Sequence, residues 1–246
     1  MNNKVHHLKD VNNEMLAYYF NNLNSNTTLF FFGGYSSDMT GTKASALNDW
    51  TQSMGINYLR FDYSGHGQSS GEFSKGTLSK WLYEANYFFD KFKSEKNIIV
   101  GSSMGGWIAL LVAMNNDDVN GLIGIASAPD FTKNEWNKLS EQEKSDFKSR
   151  GSILFPDDDY GDYEVFYEFV KDGFQHEILD KKINILCPVR LLHGKLDKVI
   201  SFHISEIILN KLVTLNKSLI VVEDGDHSLS RQQDLKILFE NIREIL

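Results

Sequence analysis

Cysteine is almost missing from this chain of 246 residues: Cys187 stands alone, so no internal disulfide can form and no zinc-ligand spacing exists. Proline is scarce too, at Pro129, Pro156 and Pro188 only, and no internal repeat or low-complexity tract is present. Long apolar runs are lacking. The longest, residues 107–114, is far too short to span a bilayer. The start, Met1-Asn2-Asn3-Lys4-Val5-His6-His7, has no apolar signal-peptide core, and no Arg-rich leader precedes the first expected strand. A cytoplasmic protein in a reducing compartment is the expectation. Excess positive charge is absent as well: 25 Lys+Arg face 33 Asp+Glu, a net charge of −8. Nucleic acid and anionic membrane surfaces demand clustered Lys/Arg, so neither is expected as a partner. What remains is ordinary globular composition, 41% hydrophobic and 24% charged, on a chain long enough to bury a substantial core.

Hydrophobic spacing gives the organisation. Residues 5–8 and 15–20 read as an opening hairpin. Thr28-Leu29-Phe30-Phe31-Phe32 is a continuous apolar run ending at Gly33-Gly34, the mark of a strand buried on both faces. Strands at 56–61, 97–100 and 121–126 follow, alternating with helices that carry Ala44, Leu47, Trp50 and Met54, then residues 78–92, then 105–114. Such alternation predicts a parallel sheet with helices on both faces. It stops at Ala128 and resumes at Val189, with a strand at 189–193, a helix at 201–215, a strand at 219–223 and a helix at 229–246. The reading is one α/β domain, residues 1–127 and 184–246, interrupted by a helical insert at 128–183. Within the insert, 138–150 reads as a polar helix, and Tyr163, Phe166, Tyr167 and Val170 fall at i, i+3, i+4 and i+7. The insert holds 14 Asp/Glu and 8 Lys/Arg, so six of the eight net negative charges belong to it.

The chemistry concentrates at expected strand ends. Gly101-Ser102-Ser103-Met104-Gly105-Gly106 places a G-x-S-x-G between a buried strand and an apolar helix, which forces Ser103 into a tight, strained turn with its hydroxyl clear of the sheet. A nucleophilic serine needs a base and an orienting acid. Asp197 follows the strand at 189–193, and His227 follows the strand at 219–223, giving the order Ser…Asp…His. Asp130 is a rival acid, and Asp224 and Asp226 lie near His227 but on the same loop. His193 suits a structural hydrogen bond. His66, in Asp62-Tyr63-Ser64-Gly65-His66-Gly67, suits a structural role at the rim better than a substrate contact. The Met104 N–H at the helix start and the Tyr35 N–H, on the glycine-rich loop Gly33-Gly34-Tyr35-Ser36, are expected to form an oxyanion hole. No phosphate-loop pattern and no metal-ligand cluster is present; Asp157-Asp158-Asp159 reads as a solvated acidic turn. No metal and no cofactor is expected.

These residues resemble the α/β-hydrolase family over essentially the whole chain. Gly33-Gly34-Tyr35, Gly41-Thr42-Lys43-Ala44, Arg60-Phe61-Asp62-Tyr63-Ser64-Gly65, the Ser103 turn, Cys187-Pro188-Val189-Arg190-Leu191-Leu192-His193-Gly194 and Asp226-His227 are similar to the mitochondrial palmitoyl-protein thioesterase group, which also cleaves acyl glucuronides. One departure is Gly33-Gly34, where many members carry His-Gly. The resemblance implies an α/β-hydrolase fold, with a mostly parallel eight-stranded sheet, and hydrolysis of carboxylic esters or thioesters. It implies Ser103 as nucleophile, Asp197 as acid and His227 as base. The expected substrate is a small-molecule or acyl-chain ester, or an S-acylated protein. A proline-iminopeptidase-like serine peptidase is the alternative, since the acidic insert can anchor a free amine. A catalytically dead binding module on the same fold is a third reading. The insert is expected to act as a lid, with Trp136, Tyr163, Phe166 and Tyr167 as candidates to line an acyl pocket.

Overall fold

The computed structural model describes residues 4–10, 13–156 and 161–246, so Asp157-Asp158-Asp159 and Tyr160 lie outside the described residues. The opening hairpin is β1 (His6–Lys9) against β2 (Met15–Asn21). Next come β3 (Thr27–Phe32), α1 (Thr42–Met54), β4 (Asn57–Phe61), α2 (Leu78–Phe92), β5 (Lys96–Ser102), α3 (Met104–Met114) and β6 (Gly121–Ile125). The insert holds α4 (Phe131–Lys138), α5 (Glu141–Arg150), β7 (Ser152–Phe155), β8 (Tyr163–Phe166) and α6 (Tyr167–Gly173). The chain closes with β9 (Val189–Gly194), α7 (His203–Lys211), β10 (Lys217–Val222) and α8 (Gln232–Arg243).

Eight strands form one sheet in the order β1-β2-β4-β3-β5-β6-β9-β10. β3, β4, β5, β6, β9 and β10 run parallel, while β2 joins β4 antiparallel. The continuous apolar strands make sense on this sheet, because successive side chains point to opposite faces and both faces are covered. Phe30, Phe32, Ile99, Leu122 and Leu191 enter one core with Trp81, Phe88 and Phe89 of α2, the body of α3, and Ile208 of α7. Leu29, Phe31, Ile98, Val100, Ile123 and Leu192 enter the other core with Leu47 and Trp50 of α1 and Leu238 and Ile242 of α8. All residues of α3 from Met104 to Ala113 are buried, which matches its apolar surface on every side.

The insert differs from the expected all-helical unit. Residues 163–166 are a strand, paired antiparallel with Ser152–Phe155, and the helix begins only at Tyr167. Tyr163-Glu164-Val165-Phe166 is rich in aromatic and β-branched side chains, and Val165 is fully buried beside exposed Glu164, a period of two rather than 3.6. The strand was hidden in the sequence because its partner lies across a loop. The polar helix also starts later than expected: Ser140 and Glu143 form a capping box at the head of α5. The last helix begins at Gln232, since Leu229 has a φ of +44° and its N–H is taken by Asp226 Oδ1 at 2.9 Å.

Hydrogen bonds close the insert on itself and tie it to the sheet domain. Asp130 accepts both the Ile178 and Leu179 N–H at 2.9 Å, clamping the two ends of the insert together. Asp172 takes the Ser79 N–H and hydroxyl at 2.7 Å at the head of α2. The Trp107 indole donates to the His176 carbonyl at 3.1 Å, and the Tyr35 hydroxyl donates to the Glu164 carbonyl at 2.9 Å.

Candidate active site

The turn between β5 and α3 sets Ser103 at φ 54°, ψ −119°, a conformation non-glycine residues avoid. Close packing beneath holds it there. A β-carbon on Gly105 would sit 2.1 Å from the Phe32 carbonyl oxygen, and one on Gly106 would sit 2.3 Å from Ser127 Oγ. Gly105→Ala is therefore expected to cost about 3 kcal/mol of stability through overpacking against backbone that cannot retreat. Denaturant unfolding checks this, and a wild-type midpoint would show that the turn adapts.

Three residues far apart in sequence meet at this turn. His227 Nε2 lies 3.1 Å from Ser103 Oγ, and His227 Nδ1 lies 2.7 Å from Asp197 Oδ2. The carboxylate can only accept, so His227 carries its proton on Nδ1 and presents Nε2 as acceptor to the serine hydroxyl. Asp197 is fully buried at its side chain. Its Oδ1 takes the Val199 and Ile200 N–H at 2.9 and 2.8 Å, and its Oδ2 also lies 3.0 Å from His193 Nε2. Burial pushes the Asp197 pKa up, but the His193 and His227 hydrogen bonds outweigh this and hold it at about 2. The carboxylate thus stays ionised throughout the neutral range.

The rival acids are engaged elsewhere: Asp130 with the ends of the insert, Asp224 with Arg231 at 2.8 Å, and Asp226 with its own loop at Leu229. The arrangement can pass a proton from a serine hydroxyl to an imidazole whose positive charge is met by a fixed carboxylate.

The profile of the Hydrolase_4 family (serine aminopeptidase, S33) matches residues 24–153. The human mitochondrial palmitoyl-protein thioesterase ABHD10 is 33% identical over 221 residues, which cover 89% of this chain and 72% of that protein. The chain belongs to the α/β-hydrolase family. This hydrolase superposes on the solved structure of mouse α/β-hydrolase domain-containing protein 10 with a TM-score of 0.91 and 30% identity, covering 98% of each chain. Est1E of Butyrivibrio proteoclasticus, solved with ferulic acid bound, shares the fold at a TM-score of 0.78 and 20% identity over 97% of this chain and 96% of its own. The curated relatives are named mitochondrial, where the sequence led to a cytoplasmic expectation for the hydrolase. Among its described residues no helix is long and apolar enough to cross a membrane.

The loop after β3 brings Tyr35 to the same place. Among the described residues, neither the Tyr35 nor the Met104 amide N–H meets an acceptor. Gly34 lets the loop approach closely: a β-carbon there would touch Ser103 Cβ at 3.4 Å. His66 holds this loop from behind. It is buried, its Nε2 accepts the Ser36 N–H at 3.3 Å, and its Nδ1 faces the Ser64 carbonyl at 3.3 Å. That pairing requires the neutral Nδ1–H tautomer, and burial lowers the His66 pKa to about 4, which keeps it neutral.

A cavity of about 500 Å³ opens over Ser103 and His227, walled by Tyr35, Ala128, Phe131, Glu135, Tyr163, Val199 and Ile200. Of the four aromatic residues expected to line a pocket, only Tyr163 does so. Trp136 and Tyr167 pack on Phe147 inside the insert, with ring centroids 6.2 and 5.6 Å away, and Phe166 packs on Phe73 at 5.8 Å. The bulk of the insert has to fill its own small core before it can face substrate. Sequence reasoning missed Glu135 on the cavity wall and the His193 contact to Asp197. The spacing His193-x-x-x-Asp197 at a strand end was the available signal for the second.

Proposed function

We infer that the chain hydrolyses carboxylic esters and thioesters through an acyl-enzyme. Ser103 is the nucleophile, His227 the general base and then acid, Asp197 the orienting acid, and the Tyr35 and Met104 N–H groups the oxyanion hole. The observation that carries this reading is the unbroken relay from Asp197 through His227 to Ser103, at 2.7 and 3.1 Å, opening into a cavity. As Ser103 attacks the carbonyl carbon, its proton moves to His227 Nε2. His227 returns it to the departing alcohol or thiol, and a water activated by the same imidazole releases the acid. The chemistry calls for no cofactor. The thioesterase names of the relatives favour acyl esters and thioesters, including S-acylated proteins, as the substrate class. Residues 1–127 and 184–246 are the catalytic domain, and 128–183 the lid that walls the acyl pocket.

A fluorophosphonate probe tests the reading: labelling confined to Ser103 is expected, and an unlabelled protein overturns it and leaves a binding module. A second reading, a proline-iminopeptidase-like peptidase, draws on Glu135, a buried carboxylate on the cavity wall with one oxygen bound to Lys138 and the other without a partner among the described residues. Faster turnover of proline anilide than of any acyl ester would establish that alternative.

Charge refines the substrate class. The described Asp and Glu on the cavity wall are Glu135, Asp162 and Glu164, and no Lys or Arg lines it. At low ionic strength, a neutral thioester is expected to exceed the coenzyme A thioester of the same acyl chain by about tenfold in kcat/KM, a gap that closes as salt is added. Equal turnover at low salt would remove the lid's charge from substrate selection.

A further inference from the structure

A second cavity, of about 300 Å³, meets the first at Ser103 and His227, and Lys43 lines it from the first turn of α1. Lysine usually keeps its ammonium in water. Here Nζ is drawn inward, bonded to the Ser228 carbonyl and 3.4 Å from Ser230 Oγ. Ser228 directly follows His227, so Lys43 grips the peptide next to the imidazole. Asp226 within the loop and Asp234 on α8 face the ammonium with opposite charge. Arg231 spans Asp224 and Asp234 at 2.8 and 2.9 Å and secures the far end of the same loop.

We propose that Lys43 is a positioning residue for His227, whose ammonium holds the loop so that Nε2 faces Ser103, and whose deprotonation at alkaline pH slows turnover. This rests on the hydrolase reading above. The geometry places a cation, reached from a different helix, on the backbone of the catalytic loop. Burial lowers the Lys43 pKa from 10.5 to about 8, with Asp226 and Asp234 offsetting part of the shift. The other charged groups around it are the carboxylates of Asp38, Asp226 and Asp234 and the guanidinium of Arg231. Burial pushes the Tyr35 hydroxyl, on the same cavity, up and out of the range.

Stability must run the opposite way. Between pH 8 and 10.5 the unfolded chain binds the Lys43 proton more tightly than the folded one, so this group's contribution to stability rises with pH. Turnover and stability therefore part company on the alkaline side, which a purely structural lysine would not produce.

The experiment is the pH profile of kcat on an activated ester, corrected for spontaneous hydrolysis, for the wild type, Lys43→Arg and Lys43→Met, with melting temperatures at each pH. Wild-type kcat is expected to fall through a midpoint near pH 8 while the protein stays folded. Lys43→Arg, which keeps its charge, is expected to lose that fall. Lys43→Met is expected to show a kcat about tenfold lower and flat across the same range, with KM little changed. A wild-type kcat flat to pH 10, or a fall that persists unchanged in Lys43→Arg, overturns the proposal. Should Lys43→Met not fold, Lys43→Arg decides alone. Fluorophosphonate labelling at pH 7 separates the two claims: a wild type that fails to label sinks the hydrolase reading, whereas a labelled wild type with a flat profile sinks only the role of Lys43.

Discussion

Ser103→Ala is expected to lower kcat on activated esters by roughly 10⁶-fold while leaving the fold intact. On the proposed mechanism the loss is large because the imidazole and the oxyanion donors then have no attacking group to serve. What survives is stabilisation of a water-derived intermediate, worth some 10³-fold over solvent. Stability should hold or rise slightly. The backbone at position 103 keeps its φ of 54°, but a hydroxyl tied to His227 is gone, and its removal costs little at a site shaped for chemistry. Steady-state kinetics and thermal unfolding on one preparation check both halves. Retention of more than about 1% of wild-type kcat would place the nucleophile elsewhere.

Asp197→Asn carries the second largest expected effect, about 10⁴-fold in kcat. The wild-type carboxylate receives four donors: His227, His193, and the Val199 and Ile200 amides. An amide in its place must turn an NH₂ toward some of them. If the NH₂ faces His227, the imidazole changes tautomer and Nε2 can no longer accept the serine proton. His193 resists any such turn. Its Nδ1 lies 2.7 Å from Ser205 Oγ, and its Nε2 faces two acceptors, Asp197 and the Ile200 carbonyl, so its Nε2–H is fixed. The same substitution alters acid stability. The folded pKa of Asp197, about 2 against an ordinary 3.8, contributes about 2 kcal/mol above pH 3.8 that is lost as pH falls through the folded value. The Asn variant is expected to be less stable at neutral pH and flatter in its acid unfolding profile. An unchanged acid profile would mean that this carboxylate is not held down by its neighbours.

The legible parts of this molecule were those in which one short segment dictates its own geometry. The turn at Ser103 needs glycines immediately around it, so its location was written within six residues. Asp197 and His227 follow apolar strands, and strand ends on a parallel sheet face one edge. The alternation of β3 to β6 with α1 to α3 was equally local. The features that escaped involve partners far apart. Lys43 and Ser228 are 185 residues from each other, and nothing around either names the other. β7 and β8 form only as a pair, and 163–167 on its own carries a helical spacing that tertiary pairing overrides. Trp136, Phe166 and Tyr167, expected to line the pocket, pack elsewhere for the same reason: an aromatic residue in a small insert can face either its own core or a ligand, and only the packing decides.

The clamp at Asp130 has a consequence for how such an enzyme changes over time. One carboxylate joins the departing and returning segments of residues 128–183 with two hydrogen bonds, closing the insert at its base. Segments between two such fixed points can lengthen, shorten or be replaced at a modest entropic cost, roughly 0.6 kcal/mol for each doubling of a flexible loop. Ser103, His227 and Asp197 all lie outside residues 128–183. Transplanting an insert from a relative at the positions of Asp130 and Leu179 would exchange the wall formed by Phe131, Glu135 and Tyr163 and leave Tyr35, Val199, Ile200 and the three residues Ser103, His227 and Asp197 in place, which lets substrate preference change with the chemistry kept.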